Sequence, residues 1–171
     1  MHKDKIPDEL KSFGKYFSYF SCAQRPGYSG VAIYSKIKPL CVGQGFGISK
    51  FDDEGRILRL DFKDFILFNT YMPNGGRDKK RLDYKLDFYD EFLKYLKTLI
   101  KEGENIIITG DINTAHRPID LARPKQNVNN TGFLPEERAW IDSLLDASFL
   151  DSFQMFNDEP GHYTWRDHKT S

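Results

Sequence analysis

A run of three isoleucines followed closely by a glycine and an acidic residue constrains the fold of this chain more than any other feature. Residues 105–113 read Asn-Ile-Ile-Ile-Thr-Gly-Asp-Ile-Asn. Three consecutive β-branched apolar residues predict a short strand that is buried on both faces. Such a strand lies inside a sheet that is covered on both sides, so the sequence predicts a layered fold with a central strand at this point.

Two polar side chains follow this predicted strand at positions that suit a functional site. Asp111 and Asn113 are two residues apart, and in an extended segment this spacing puts both side chains on the same side of the chain. Sites in α/β proteins are commonly built at the carboxyl ends of strands. Gly, Asp and Asn are also ordinary turn residues, so a plain strand-to-loop turn explains Gly110–Asn113 equally well.

Length and composition indicate one folded domain. The 171 residues include 39% hydrophobic and 15% aromatic residues, which is ample for a core. Lysine plus arginine equals aspartate plus glutamate, 25 each, so no net charge attracts the whole chain to nucleic acid or to a membrane. No apolar run is long enough to span a bilayer, and Cys22 and Cys41 have neither a metal-ligand spacing nor a disulfide-rich context. We therefore expect a single domain over residues 1–171 in a reducing compartment.

The hydrophobic pattern changes period along the chain and predicts strands first, then helix, strand and helix. Over residues 56–62 apolar residues alternate with charged ones, which is typical of a half-buried strand, and residues 65–70 are predicted to be its antiparallel partner. After residue 80 an apolar stripe recurs at helical spacing. This order predicts the α+β class, with helices covering a mixed sheet. The predicted strands span 31–35, 56–62 and 65–70, the predicted helices 7–11, 81–101 and 135–145, with a helical turn at 118–121 and a loop at 125–132.

Four short motifs follow one another in the chain. They are Gly-Tyr-Ser-Gly-Val at 27–31, Asn-Thr-Tyr-Met-Pro-Asn-Gly-Gly-Arg at 69–77, Gly-Asp-Ile-Asn at 110–113 and Asn-Thr-Gly-Phe-Leu-Pro-Glu-Glu-Arg at 130–138. In this order the motifs resemble the exonuclease III family of abasic-site endonucleases, within the endonuclease/exonuclease/phosphatase superfamily. Each motif alone is unspecific, whereas four in sequence over nearly the whole chain are specific.

The resemblance implies a fold and a length. The family fold is a four-layer α/β/β/α sandwich of the DNase I-like kind. The family also carries an upstream Leu-Gln-Glu segment, whose Glu is the principal metal ligand, and a downstream Gly-Trp-Arg segment with a terminal Asp-His pair; neither set occurs here. We therefore expect a partial, truncated sandwich that lacks the first strands and the C-terminal strands. The chain by itself is then expected to be inactive.

The resemblance also implies a catalytic site. Hydrolysis of a phosphodiester requires a deprotonated water, stabilisation of charge on the phosphoryl oxygens and help for the leaving alkoxide. Asp111 would orient and deprotonate the water, and Asn113 would donate its amide to a phosphate oxygen. Tyr71 would lie near the scissile phosphate, either as a phenol that donates a hydrogen bond or as a phenolate. Asp111 and Asn113 would also be metal ligands, and oxygen donors favour Mg²⁺ or Mn²⁺. The alternative for Tyr71 is a packed aromatic residue at a strand end.

Loop residues are implied to bind DNA. The glycine loops allow the backbone to approach a phosphate closely, and an arginine there can clamp it. An asparagine-rich loop would lie beside the flipped-out abasic sugar, with a tryptophan as the wall of that pocket. Solvated loop residues and a core tryptophan are the alternative. His116 is expected to be structural, and Arg56 an exposed charge. The implied DNA-binding residues are Gly27, Tyr28, Asn74, Arg77, Asn127, Asn130 and Trp165.

The function that we expect is a divalent-metal-dependent DNA repair phosphodiesterase. It would act on double-stranded DNA that carries abasic sites or 3′ blocks, as a monomer when complete and without a membrane partner. It would work inside the cell, in the bacterial cytoplasm with the nucleoid or in a eukaryotic nucleus. Two alternatives stay open: a superfamily relative that acts on lipid or RNA phosphates, and a non-catalytic remnant.

Overall fold

The computed structural model describes residues 6–76, 78–157 and 159–164. Backbone contacts divide the chain into two compact units. The first unit comprises Met1–Pro73 and Glu91–Ile112, and the second comprises Asn74–Asp90 and Asn113–Ser171. One long helix contributes residues to both. The expectation of a single domain stays a prediction.

The first unit is built on two sheets. One is an antiparallel hairpin, and the other has four strands in the order β3-β4-β5-β6, in which only β5 and β6 run parallel. The strands are β1 (Phe17–Cys22), β2 (Gly30–Ser35), β3 (Cys41–Gln44), β4 (Ile57–Asp61), β5 (Ile66–Tyr71) and β6 (Ile106–Asp111), and two short helices, α1 (Asp8–Lys11) and α2 (Ser49–Asp52), complete the unit with part of α3 (Lys79–Lys101).

These elements form three layers. β1 and β2 pack over β4 and β5, and the side-chain amide of Asn69 donates to the carbonyl of Ala32 at 2.9 Å between the two sheets. The second half of α3 covers the opposite face, where the ring centroids of Phe68 and Phe92 are 5.8 Å apart in an edge-on arrangement. The α+β prediction is therefore confirmed. The fully buried side chains of this core include Phe51, Ile57, Leu58, Leu60, Ile66, Phe68, Phe92 and Leu96.

The isoleucine strand, β6, lies at an edge of its sheet. In the described part of the chain it pairs only with β5, and the side chain of Ile107 is 48% exposed. The prediction of a central strand buried on both faces is therefore wrong for this structure. An apolar sequence favours burial, but a strand is buried only where other layers cover it. In this structure the β1–β2 hairpin covers β4 and β5 instead of β6.

The second unit is helical. Its centre is an aromatic pair, because the rings of Tyr89 and Trp140 stack with centroids 4.2 Å apart. The indole N–H of Trp140 donates to the carbonyl oxygen of Tyr89 at 2.7 Å, and both residues are buried. Besides the first half of α3, the unit contains a 3₁₀ turn (Pro118–Asp120), α4 (Pro124–Asn127), α5 (Pro135–Asp146) and α6 (Ser152–Phe156).

The long elements match their predictions closely. The helix predicted over 81–101 begins two residues earlier, at Lys79, and the predicted 135–145 helix runs to Asp146. The strands predicted before residue 70 have bounds within one residue of those observed, and the strands predicted over 56–62 and 65–70 pair antiparallel as β4 and β5. The predicted 125–132 loop is corrected at its start, which belongs to α4. Within the described ranges, no helix has the length and apolar character needed to cross a membrane.

Candidate functional site

The ends of β5 and β6 bring Tyr71 and Asp111 together in the first unit. The two strands run parallel, and Tyr71 stands opposite Asp111 in their register. The N–H of Met72 donates to the carbonyl oxygen of Asp111 at 2.8 Å, which continues the pairing beyond the last residue of each strand. Both Tyr71 and Asp111 are exposed. A phenol and a carboxylate therefore reach solvent side by side at the carboxyl ends of neighbouring strands.

Gly110 allows the two strand ends to approach. Its φ is +110°, which L-residues with a side chain rarely adopt. A Cβ atom at this position would lie 2.0 Å from the carbonyl oxygen of Thr70 and 2.7 Å from the side-chain oxygen of Asn69. No side chain fits there without moving backbone, so the glycine before Asp111 is required by the local geometry.

Arg56 is a residue of this unit that the sequence interpretation missed. It was expected to be an exposed charge, but only 5% of it is exposed, so that expectation is wrong. Its Nε donates to the carboxylate of Glu54, and its Nη1 donates to the carbonyl oxygen of Tyr71 at 2.9 Å. The partner atom belongs to a residue fifteen positions away, and no local pattern in the sequence reveals such a contact.

The hairpin loop between β1 and β2 carries Gly27 and Tyr28. Gly27 has φ +72°, so the loop turns through a conformation that favours glycine. Tyr28 is 43% exposed, and the guanidinium carbon of Arg25 lies 5.4 Å from its ring centroid. The loop therefore presents an aromatic ring and a cation to solvent.

In the second unit the glycine loop rests on the asparagine-rich loop. The side-chain oxygen of Asn74 accepts from the N–H of Gly76 at 2.7 Å, which closes a tight turn. A Cβ atom on Gly75 would lie 2.1 Å from the hydroxyl of Thr131, so the two loops are in direct contact. Arg77 lies outside the described residues, and so does Trp165.

The structure also brings Asn127 and Asn130 together. The Asn130 side-chain amide donates to the Asn127 side-chain oxygen at 3.1 Å, and the Asn130 backbone N–H donates to the Asn127 carbonyl at 2.9 Å. The Asn127 amide donates in turn to the carbonyl of Arg123 at 2.8 Å. The Asn130 side chain is exposed, and Asn127 is half-buried.

Asn113 has a left-handed backbone. Its φ is +57°, and β6 ends at Asp111, so the extended segment assumed for these two side chains does not continue to Asn113. The carbonyl oxygen of Asn113 accepts from the ammonium of Lys85 at 2.8 Å. A buried cation therefore holds this strained residue in place.

Lys85 and Glu137 form a buried ion pair beside the asparagine-rich loop of the second unit. Their side chains are 1% and 0% exposed, and Nζ lies 2.6 Å from Oε1. Lys85 donates a further hydrogen bond to the hydroxyl of Thr114 at 3.0 Å, and Glu137 accepts one from the hydroxyl of Thr131 at 2.7 Å. Because every polar atom of the pair finds partners, burial of the charges is compensated. The second carboxylate oxygen accepts from the backbone N–H groups of Gly132 and Leu134.

His116 is held in the helical unit rather than presented for chemistry. Its Nε2 lies 2.7 Å from a carboxylate oxygen of Asp142, and 10% of its side chain is exposed. Its carbonyl oxygen accepts from Nε of Arg138 at 2.7 Å. These contacts fasten the segment after β6 to α5, and the structural role expected for His116 stays a prediction.

The donor set for a divalent metal is incomplete in the described part of the chain. No group of three or more His, Cys, Asp or Glu side chains is placed there to hold a metal ion. Asp111 and Asn113 offer one carboxylate and one amide oxygen, whereas Mg²⁺ takes six oxygen ligands in near-octahedral geometry. The residues described do not by themselves make a metal site.

Comparison with known proteins finds relatives that match nearly the whole chain. The model of the Endonuclease/Exonuclease/phosphatase family matches residues 2–169. The chain is 39% identical over 151 residues to an exodeoxyribonuclease of Bacillus subtilis, covering 88% of this chain and 60% of that protein. It is 42% identical over 163 residues to the DNA repair nuclease APEX1 of Danio rerio, covering 94% of this chain and 52% of that protein. The chain thus spans about half the length of these relatives.

Solved structures agree with the fold. An AP endonuclease from Archaeoglobus fulgidus superposes with a TM-score of 0.88 at 27% identity, over 99% of this chain and 65% of that one. A 3′ phosphatase from Neisseria, bound to product DNA hairpin, superposes with a TM-score of 0.86 over 100% of this chain and 66% of that one. Its identity of 21% supports the fold alone. The likeness to the exonuclease III family is therefore confirmed.

Proposed function

This chain belongs to the endonuclease/exonuclease/phosphatase family, and on that premise we propose that it is part of a DNA repair phosphodiesterase of the exonuclease III type. The proposed reaction is hydrolysis of the DNA backbone at abasic sites and at 3′ ends. The observation that carries the proposal is the pairing of Tyr71 with Asp111 at the carboxyl ends of β5 and β6. The names of the relatives, exodeoxyribonuclease and DNA repair nuclease, favour DNA over other phosphodiesters.

Asp111 would act on the attacking water. Its carboxylate is exposed at a strand end, where it can accept a proton from a water aimed at phosphorus, and general-base catalysis of this kind contributes about 10²–10⁴-fold in rate. Tyr71, its neighbour across the strands, would donate a hydrogen bond from its phenol to a phosphate oxygen. As the new P–O bond to water forms, the P–O bond to the leaving alkoxide breaks, and that alkoxide takes a proton from solvent. Asn113 would donate its side-chain amide to the same group as negative charge builds there.

The proposed cofactor is Mg²⁺ or Mn²⁺. A divalent ion supplies charge stabilisation on the phosphoryl oxygens when bound. Asp111 and Asn113 would be two of its ligands through their side-chain oxygens, with the phosphate and water as further oxygen donors. The protein itself would contribute the end of β6, which holds Asp111 in a fixed position.

The proposed DNA surface consists of loops. Gly27 and Tyr28 would meet the DNA backbone, with the tyrosine ring exposed for contact. Asn74 and Arg77 would bind a phosphate at the glycine loop. The asparagine-rich loop would border an extruded abasic sugar through Asn127 and Asn130, with Trp165 as a wall. The partner would be double-stranded DNA, bound by a monomer inside the cell.

A binding experiment tests this proposal. Fluorescence anisotropy would measure the affinity of the purified chain for a duplex with one tetrahydrofuran abasic analogue, beside an intact duplex of the same sequence. We expect the abasic duplex to bind at least about tenfold more tightly, since an abasic position costs less to extrude. Soluble inositol phosphates and single-stranded RNA serve as competitors for the alternative substrates.

Equal affinity for intact and abasic duplexes would refute specificity for abasic sites. Displacement of the DNA by inositol phosphate or RNA at lower concentration than by unlabelled abasic duplex would favour the alternative substrates. The Lys94→Ala variant is a matched control for general charge effects, because Lys94 forms an exposed ion pair with Glu91 on α3.

A further inference from the structure

Arg56 lies between two exposed tyrosine rings. Its guanidinium carbon is 4.8 Å from the ring centroid of Tyr71 and 5.7 Å from that of Tyr28. Both distances are within the range of cation–π attraction. The arginine is 5% exposed, whereas Tyr71 and Tyr28 are 37% and 43% exposed. A desolvated cation thus supports two aromatic residues that reach the surface.

Arg56 also fixes the backbone of Tyr71 twice. The N–H of Tyr71 donates to the carbonyl oxygen of Arg56 at 2.9 Å, and Nη1 of Arg56 donates back to the carbonyl oxygen of Tyr71 at 2.9 Å. Glu54 accepts from Nε and balances the charge. The backbone and the side chain of Arg56 therefore each hold the backbone of Tyr71, and the guanidinium also lies against the Tyr71 ring.

These contacts need an arginine. A guanidinium is planar and presents several donors in a fixed fork, so it can stack on a ring while it donates to a carbonyl and a carboxylate. A lysine ammonium keeps the charge but lacks the flat faces and the fork. The buried position also makes each contact stronger than it would be in water.

We propose that Arg56 is a positioning residue: it holds Tyr71 in place from within the core and couples Tyr71 to Tyr28 of the β1–β2 loop. The proposal rests on the proposed function in one respect only, that both tyrosines face DNA. In that setting, contact of the hairpin loop with the DNA backbone and placement of the phenol at the phosphate depend on the same guanidinium.

Aromatic NMR of tyrosine-labelled protein tests the positioning directly. We expect Arg56→Met to shift the ring resonances of both Tyr71 and Tyr28, because both rings lose the same cation. Arg59→Met is the matched control. Arg59 pairs with Asp61 two residues away, contacts the Phe68 ring at 6.0 Å and donates to Tyr95. This control should shift Tyr95 and leave Tyr28 and Tyr71 unchanged.

Arg56→Lys keeps the experiment decisive if the methionine variant does not fold. A lysine still neutralises Glu54, and we expect it to shift both rings because it lacks the planar fork. Ring resonances of Tyr71 and Tyr28 that match the wild type in either folded variant would overturn the proposal. Equal shifts in Arg59→Met would also overturn it, since the change would then be general.

DNA binding tests the coupling. In the wild-type background, we expect the losses of affinity for the tetrahydrofuran duplex caused by Tyr28→Leu and Tyr71→Leu to be non-additive. In the Arg56→Met background, the losses caused by the same two substitutions should add. Arg56→Met itself should weaken binding about tenfold. Additive effects in wild type would overturn the coupling. Ring shifts in a protein that binds no DNA would support the positioning role and refute the proposed function instead.

Discussion

The carboxylate of Asp111 and the phenol of Tyr71 lie side by side where β5 and β6 end, and this arrangement depends on the register of the two strands. A slip of one residue would turn every side chain of β6 to the opposite face. Thr70 and Thr109 help to fix the register, since the hydroxyl of Thr70 donates to the carbonyl of Thr109 at 3.2 Å. A change of register would therefore separate the two side chains on which the proposed chemistry depends.

Asp111→Asn should separate catalysis from binding. We would place these 171 residues in the Bacillus subtilis exodeoxyribonuclease, in exchange for the segment that they match. In this chimera the substitution should lower kcat on abasic duplex on the order of a thousandfold, because a base acts mainly in the transition state. Affinity for the tetrahydrofuran duplex should stay near the parent chimera's. Loss of affinity in proportion to loss of rate would mean that Asp111 is structural.

Gly110→Ala should destabilise the first unit strongly. The new Cβ would clash with the carbonyl of Thr70, and φ +110° is strained for alanine. We expect a loss of about 3 kcal/mol or more in urea unfolding. Gly103→Ala is the control, because Gly103 has φ +87° with open space around it, so strain alone costs about 1 kcal/mol. Equal losses would show that the close strand approach is unimportant.

Sequence motifs predicted Tyr71 and Asp111, and the structure places them side by side. The contacts of Arg56 could not be predicted from the sequence, because they depend on burial and on a partner across the sheet, which are properties of the folded chain. Asn113 was predicted by type but not by backbone, since a left-handed residue after Gly-Asp has no distinct local signal. The assigned roles of the site residues stay predictions.

At the scale of elements, α3 and α5 are joined by the Lys85–Glu137 pair. Lys85 comes from α3, Glu137 from the first turn of α5, and the pair also binds the segment after β6 and the asparagine-rich loop. A buried charge left without its partner is costly, whereas an apolar pair of similar volume is tolerated.

Glu137→Leu should therefore cost about 3–5 kcal/mol of unfolding free energy, because Lys85 would be left buried and unpaired. The double variant Lys85→Met with Glu137→Leu should recover most of that loss. Urea denaturation of the two single variants and the double variant measures the coupling. If the two single losses simply add, the pair is not the interaction that joins these elements.

Long elements were predictable because their periodicity persists over many residues. The stripe on α3 and the alternation on β4 place apolar residues on one face, and Tyr89, Leu93 and Leu96 of the stripe are buried, as are Leu58 and Leu60 of β4. Short elements such as β3 and α6 lack enough residues to establish a period. The predicted central position of β6 was wrong for another reason, because a strand's place in a sheet depends on the segments that pair with it.

At the scale of the whole molecule, the formal charge sets an expectation for DNA binding, and the available metal ligands set one for Mg²⁺ binding. Formal charges balance at pH 7, so DNA affinity has to come from local groups rather than from a general field. Among the described residues no cluster of acidic, His or Cys side chains is preassembled, which sets an expectation for Mg²⁺.

Titration calorimetry of the DNA-free chain should show weak Mg²⁺ binding, with a dissociation constant on the order of millimolar, because few protein oxygens compete with the ion's hydration shell. Asp111→Ala should remove the residual binding, and Asp64→Ala, which removes an exposed carboxylate from the turn between β4 and β5, should not. Micromolar affinity that survives Asp111→Ala would mean that the metal is held elsewhere in the chain.

Among the described residues, β6 has no partner strand on its outer edge, and this edge makes protein concentration a variable in every measurement on this chain. An unpaired strand edge is a template for pairing with the same edge of another molecule. Association that involves only folded chains adds to apparent stability by mass action. Melting temperatures and affinities should therefore drift upon dilution, and variants should be compared only at matched concentrations.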